Sequence, residues 1–276
     1  LSIEVSALKH VTADCERCFG LCCVALPYMK SADFAQDKDS GIPCQNLQSD
    51  FRCGIHKDLR KNGFRGCTVY ECFGAGQKVS QITYNGHDWG NNKEIAKEMF
   101  DVFPIMQQLH EMLRYLYEAI SRKETSSIYK ELHQAIEETE ALTRLNPKSI
   151  LELDIVEHRT FVNHLLLQTS EFVRSKVKKD PKQWKKVKGI DLIGGDLRKA
   201  NLKGVNLRGA FLIACDLREA DLRYTDLIGA DLRDANICGA NLNGSIFLTQ
   251  AQVNSANGDM NTKLPPSLSI PIHWLG

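Results

Sequence analysis

Apolar positions along this chain follow three regimes. From residue 99 to residue 172 they recur every three to four positions, the spacing of helices that bury one face. Met99, Phe103, Met106, Leu109, Leu113, Leu116 and Ile120 form one such stripe. Pro104 lies inside it and predicts a kink or the start of a new helix. Ile128, Leu132, Ile136 and Leu142 mark a second helix over about 127–144. Asn146 followed by Pro147 is an N-cap with a proline at the first helical position. Leu151, Ile155, His158, Val162, Leu165, Thr169 and Phe172 then continue as a heptad-like stripe. Helix–helix core is the use such a stripe predicts.

From residue 190 the period changes to five. Leu192, Leu197, Leu202, Leu207, Leu212, Leu217, Leu222, Leu227, Leu232, Ile237, Leu242 and Phe247 follow one another without a break. Two positions before most of them stands a small residue, among them Ala200, Ala210, Cys215, Ala220, Ala230, Ala235 and Ser245. A fixed short period implies stacked, self-similar coils. The first 90 residues, by contrast, hold no sustained period and are dense in cysteine, glycine and polar turns, as a loop-rich fold would be.

The five-residue pattern resembles the pentapeptide-repeat family, A(D/N)LxX, over about 60 residues. That resemblance implies a right-handed quadrilateral β-helix, four pentapeptides to a coil, with the central and small residues pointing inward. Twelve repeats would make about three coils at the usual ~4.8 Å strand spacing. The ends need caps; Trp184 before the repeats and the tail 262–274 are the candidates. Asp or Asn precedes many central residues and Arg or Lys follows many, so charges should largely cancel. Arg198 with Arg218, and Lys203 with Arg223, should stack in basic columns. Some members protect DNA gyrase by imitating an acidic DNA rod. Basic columns and three coils argue against that role. Cys215 should face inward as a neutral thiol, and Cys238 outward.

Sulfur carries the candidate chemistry. Of ten cysteines, eight are Cys15, Cys18, Cys22, Cys23, Cys44, Cys53, Cys67 and Cys72. Thiolates are strong ligands for zinc, copper(I) and iron–sulfur centres, and a small segment without a large core needs such a staple. The sequence carries no secretion signal pattern, which favours ligation over four disulfides. The order C-x2-C-x3-C-C, then Cys44, Cys53 and C-x4-C, resembles the CxxCxxCC cluster family of zinc- or iron-chelating proteins, apart from the three-residue gap before Cys22. Eight thiolates suffice for two zinc ions in four-cysteine sites. Four could instead hold one iron–sulfur cluster. Adjacent Cys22 and Cys23 should divide between two sites or bridge two metals. His10 and His56 are nearby but unneeded as ligands. Arg17, Lys57, Arg60, Lys61 and Arg65 are the cations that would offset thiolate charge. The segment Cys72-Phe73-Gly74-Ala75-Gly76-Gln77 lacks the features of a dinucleotide or phosphate loop and reads as a tight turn. Together with the repeats it resembles a class of bacterial pentapeptide-repeat proteins.

Composition narrows the functions. With Lys+Arg at 35 and Asp+Glu at 34, the balance argues against bulk nucleic acid or an anionic membrane as partner. No apolar run reaches a bilayer-spanning length. No nucleophile elbow, HExxH or acid–base pair appears, and enzyme status stays open with the balance toward none. The expectation is a cytoplasmic, multidomain α+β protein. Its parts are a cysteine-cluster metal-binding domain (1–90), an α-helical hairpin or bundle connector (91–186), the β-helix (187–250) and a capping tail (251–276). Its function would be a metal-binding scaffold engaging an unidentified protein partner, with oligomerisation through the helices or a repeat end. The alternatives are an iron–sulfur redox or peptide-modifying enzyme or sensor, and a topoisomerase-protecting protein.

Overall fold

The computed structural model describes residues 10–177 and 189–275, so the cap expected of Trp184 lies outside the described residues. The chain divides into two compact units, Leu1–Leu166 and Leu167–Gly276.

In the first unit a helix over Lys93–Ile120 packs against the helices Tyr129–Leu142, Pro147–Leu151 and Ala75–Lys78. The expected stripe is its inner face: Met99, Phe103, Met106, Leu109, Leu113 and Leu116 are buried, joined by Val102, and Ile120 is half-buried. The helix continues through Pro104 and no new helix begins there, contrary to the start the proline suggested. A helix-interior proline costs about 3 kcal/mol, and burying neighbours such as Val102, Phe103 and Met106 at about 2 kcal/mol each outweighs it. The second expected helix is a 3-10 turn over Lys123–Ile128 followed by the α-helix Tyr129–Leu142. Asn146 caps Pro147–Leu151, its side chain accepting from Ser149 N. The chain then breaks and restarts as Ile155–Ser175, because the Asp154 carboxylate accepts from the N–H groups of Val156 and Glu157. That second cap was hidden inside a stripe that reads as continuous.

The cysteine-rich segment is loops and single helical turns, with isolated antiparallel bridges Tyr28–Lys38 and Leu47–Cys53. Leu21, Val24, Ala75 and Val79 share one core with Met99, Val102, Phe103, Met106 and Ile150, and Cys18, Cys22 and Cys72 pack against it. A smaller core gathers Cys44, Leu59 and Phe64 with Cys23, Tyr28, Phe34, Cys53 and Cys67.

In the second unit the repeats form a β-helix of single parallel bridges at a twenty-residue interval: Asp191 to Phe211 to Asp231, and Asn201 to Asp221 to Asn241. Four pentapeptides therefore complete a coil. Each face contributes one bridged residue rather than a continuous strand, because the chain turns at every pentapeptide. The central leucines and the small residues before them are buried together, and Cys215 is buried with its thiol donating to the Gly195 carbonyl at 3.1 Å. The second position after each central residue up to Leu242 takes positive φ, at Gly209 and Gly229 but also at Lys199, Ala214, Glu219, Tyr224 and Asp234. The aspartates and asparagines before the central residues satisfy the turn: Asp196, Asp216 and Asp231 accept the N–H two residues on. Beyond Phe247 the helix Gln250–Ser255 interrupts the period. The ladder resumes as Asn236 to Asn257 and Asn241 to Lys263, and Leu264, Leu268, Ile270 and Trp274 pack on the coil core.

The arginines of the basic columns expected of the repeat surface are neutralised, while Lys203 lies over the Tyr224 ring. Arg198, Arg218, Arg223 and Arg233 each lie 2.6–2.7 Å from the aspartate two residues before them.

Candidate metal centre

The eight N-terminal cysteines sort into two sets of four. Cys15, Cys18, Cys22 and Cys72 line one small, half-open cavity of about 20 Å³, together with Asp14, Gly76, Gln77 and Phe103. A space of that size holds about one water-sized particle. Cys23, Cys44, Cys53 and Cys67 cluster around Leu59 and Phe64. Adjacent Cys22 and Cys23 belong to different sets, joined by a thiol–thiol hydrogen bond. Among the described residues no three or more of His, Cys, Asp or Glu are drawn in closely enough to hold an ion as they stand.

The first set is fixed by the segment that follows it. Cys72 is the first residue of the turn Cys72-Phe73-Gly74-Ala75-Gly76-Gln77, which is more than a turn. Gly74 takes φ +84, and a β-carbon there would meet the His10 carbonyl at 2.7 Å. A β-carbon on Gly76 would stand 2.7 Å from Cys18 Sγ and 3.9 Å from Cys72 Sγ, so the two glycines let backbone approach sulfur. The Gly74 and Gly76 N–H groups donate to Cys72, those of Gly20 and Leu21 to Cys18, and that of Ile55 to Cys53. Such bonds favour thiolate. Gln77 anchors the strand leading to Cys15, accepting from Asp14 N and donating to the Thr12 carbonyl. Ser80 Oγ accepts from Phe19 N, Gln81 donates to the Arg17 carbonyl and Trp89 Nε1 to that of Phe19. Four side chains from 77–89 thus hold the Cys15–Cys22 loop in place.

Burial and mutual repulsion hold most of these sulfurs as neutral thiols. Burial, then the neighbouring sulfurs, pushes Cys15 up and pushes Cys67 up to about 12. Cys22 is raised by its bond to Cys23 and by burial. A cation between the sulfurs reverses this order and deprotonates them outright. Each set also has a tyrosine. Tyr28 Oη donates to Cys44 Sγ at 3.2 Å, its ring stacked on Phe34. The Tyr70 hydroxyl is buried without a partner among the described residues, beside Cys72, Cys22 and Cys18.

The cation facing the sulfurs is one the sequence did not single out. Lys38 is 6% exposed and donates to the carbonyls of Val24, Asp39 and Ile42 at 3.2, 3.1 and 3.1 Å. Three acceptors on one amine require all three protons, hence an ammonium. It lies beside Cys44, Cys23 and Cys22, whose influence opposes the lowering that burial imposes on it. Of the cations expected there, Lys61 instead pairs with Asp58 and Arg65 with Asp33. His10 and His56 are exposed and line neither set.

Comparison with known proteins bears on the repeats and on the chain as a whole. A pentapeptide-repeat family profile matches residues 188–223 and 215–247. The match does not extend to the eight N-terminal cysteines. Among solved structures, alr5209, a pentapeptide repeat protein from Nostoc, is 31% identical over 30% of this chain and 85% of its own, with a TM-score of 0.14. AT2G44920, a pentapeptide repeat protein from the Arabidopsis thaliana thylakoid lumen, is 25% identical over 36% of this chain and 78% of its own, with a TM-score of 0.13. The uncharacterized protein YybG of Bacillus subtilis is 64% identical over 99% of this chain and 100% of its own length. The chain thus belongs to one family with YybG over its full length, and its residues 188–247 carry pentapeptide repeats.

Proposed function

We propose that this protein is a metal-dependent interaction scaffold, in which two four-cysteine zinc centres hold the N-terminal segment and the repeat unit offers a surface to a protein partner. The observation that carries the reading is the one-ion cavity lined by Cys15, Cys18, Cys22 and Cys72, with Gly76 leaving the sulfurs room. Cys23, Cys44, Cys53 and Cys67 would hold the second ion. A closed four-thiolate zinc site has no open coordination position, so the ion would support folding rather than reaction chemistry. Binding would require the sulfurs to draw in to about 3.8 Å from one another, the edge of a tetrahedron with ~2.3 Å zinc–sulfur bonds. All ten cysteines are free, which suits a reducing compartment such as the cytoplasm. Among the described residues no helix is long and apolar enough to cross a membrane.

Support for the interaction half comes from the outer face of the repeats. Ile190, Ile193 and Phe211 are exposed, and Phe211 occupies a position that carries aspartate one coil on, at Asp231. The arginine–aspartate clips make the remaining surface a neutral ladder rather than an acidic rod, which weighs against imitation of DNA.

Elemental analysis of protein purified without oxygen tests the metal reading. About two zinc ions per chain are expected, one for each set of four sulfurs. A brown protein containing iron and sulfide would replace zinc by the iron–sulfur alternative. A folded, metal-free protein that takes up neither would end both readings.

A further inference from the structure

The two sulfur sets differ in charge, access and restraint. The second lies against the buried Lys38 ammonium, and Cys44 within it is buried and receives the Tyr28 hydroxyl. The first has the carboxylates Asp14 and Glu71 near Cys15, and Lys38 reaches it only at Cys22. A zinc ion in four thiolates carries a net charge of about −2. Two such centres meeting at Cys22 and Cys23 repel each other, and Lys38 relieves that repulsion on one side. Cys15 is the exposed ligand of the eight, and among the described residues no hydrogen bond reaches its sulfur, whereas Cys18 and Cys72 each accept two backbone N–H groups. Besides the Gln77 anchor at Asp14, a restraint on Cys15 comes from the second set: the Arg52 guanidinium, adjoining Cys53, donates to the carbonyls of Cys15 and Glu16.

We propose that the first set is an exchangeable soft-metal site and the second a permanent one, with Cys15 the ligand that leaves and returns and Arg52 the residue that positions it. The proposal rests on the reading of both sets as metal centres and adds that they are unequal. An attacking thiolate or chelator reaches the first ion through the position Cys15 vacates. The second ion, with no fully exposed ligand and with Lys38 as counter-charge, stays. A protein so built would give up or accept one zinc ion while remaining folded around the other.

The test is the release of zinc from the anaerobically purified full chain into excess 4-(2-pyridylazo)resorcinol. Two phases of one equivalent each are expected, separated by at least about tenfold in rate, or roughly 1.4 kcal/mol of barrier. Arg52→Met should speed the fast phase severalfold and leave the slow one, and Lys38→Met should speed the slow phase. Cys15→Ser should leave one tightly held zinc, and cobalt(II) bound to that variant should retain the absorption of a tetrahedral four-thiolate centre. Release of both ions in one phase overturns the inequality while leaving two metal centres in place. An Arg52→Met protein with an unchanged fast phase overturns the positioning role, and decides the matter even where Lys38→Met fails to fold. A chain that binds no zinc overturns this proposal and the metal reading together.

Discussion

His110 Nδ1 lies 2.8 Å from the carbonyl oxygen of Phe73, tying the middle of the long helix to the residue after Cys72. A carbonyl only accepts, so the proton resides on Nδ1. The imidazole is 5% exposed.

This arrangement predicts an acid-labile contribution to stability. Burial, reinforced by the charges of Lys78 and His10 and opposed by the Phe73 bond, pushes His110 down to about 4. The unfolded chain, with an ordinary histidine value near 6.5, binds the proton first. The stabilisation is therefore complete above about pH 6.5 and lost progressively toward pH 4, amounting to about 2 kcal/mol by pH 5. Urea unfolding of wild type and His110→Asn at pH 7.5 and 5.0 measures it. Asparagine keeps a donor near Nδ1 but does not titrate, so the variant should lose about 2 kcal/mol less on acidification. An equal loss in both proteins would place the proton elsewhere.

Gly76 supplies a second prediction. In a helical turn alanine is ordinarily better than glycine by about 1 kcal/mol, so Gly76→Ala would stabilise a protein in which this residue had no other role. Here the added methyl would press on Cys18 Sγ at 2.7 Å. Zinc content should fall from about two per chain to about one, with a lower melting temperature. Unchanged stoichiometry and a raised melting temperature would remove Gly76 from the site.

The legibility of these features differs for physical reasons. The solenoid was readable because its inward residues recur at a short fixed interval, so Leu197, Leu217 and Ile237 could be stacked on paper. The cysteines were readable as two sets parted at Cys22 and Cys23, but which of the others share a set was not. Cys72 joins Cys15 across the intervening chain through Gly74 and Gly76, and the sequence shows those glycines without showing what approaches them. Lys38 sits in a polar run, Gln36-Asp37-Lys38-Asp39-Ser40, where every local sign reads as solvated surface; only tertiary closure buries it. Asp154, by contrast, carried a visible signal, an N-cap residue three positions before Glu157, masked by the apolar stripe on either side.

The positive-φ corners of the repeats give a third prediction. Ala214 holds φ +53 where Gly209 and Gly229 serve equivalent corners, and a β-carbon in that region costs about 1–2 kcal/mol. Glycine loses part of this through its freer unfolded state. Ala214→Gly should therefore stabilise the protein by up to about 1 kcal/mol. Chemical denaturation followed by circular dichroism reads the sign, and a destabilised variant would mean that the methyl contributes packing the turn needs.

Asp226 and Arg208 supply the last. Asp226 is fully buried, its carboxylate 3.0 Å from Arg208 Nη1 and accepting from Ile228 N at 3.0 Å. Burial pushes this carboxyl up, and Arg208, Ser170 and the Ile228 N–H pull it back. Removing one member of a buried pair strands the other's charge, at a cost of about 3–5 kcal/mol. Replacing both with apolar residues removes the desolvation cost as well as the attraction and is often near neutral. Asp226→Leu alone should therefore destabilise strongly, and adding Arg208→Met should recover most of that loss. The double variant tells the two accounts apart: if it is as unstable as Asp226→Leu, the carboxylate matters through its bonds to Ile228 and Ser170 rather than through its charge.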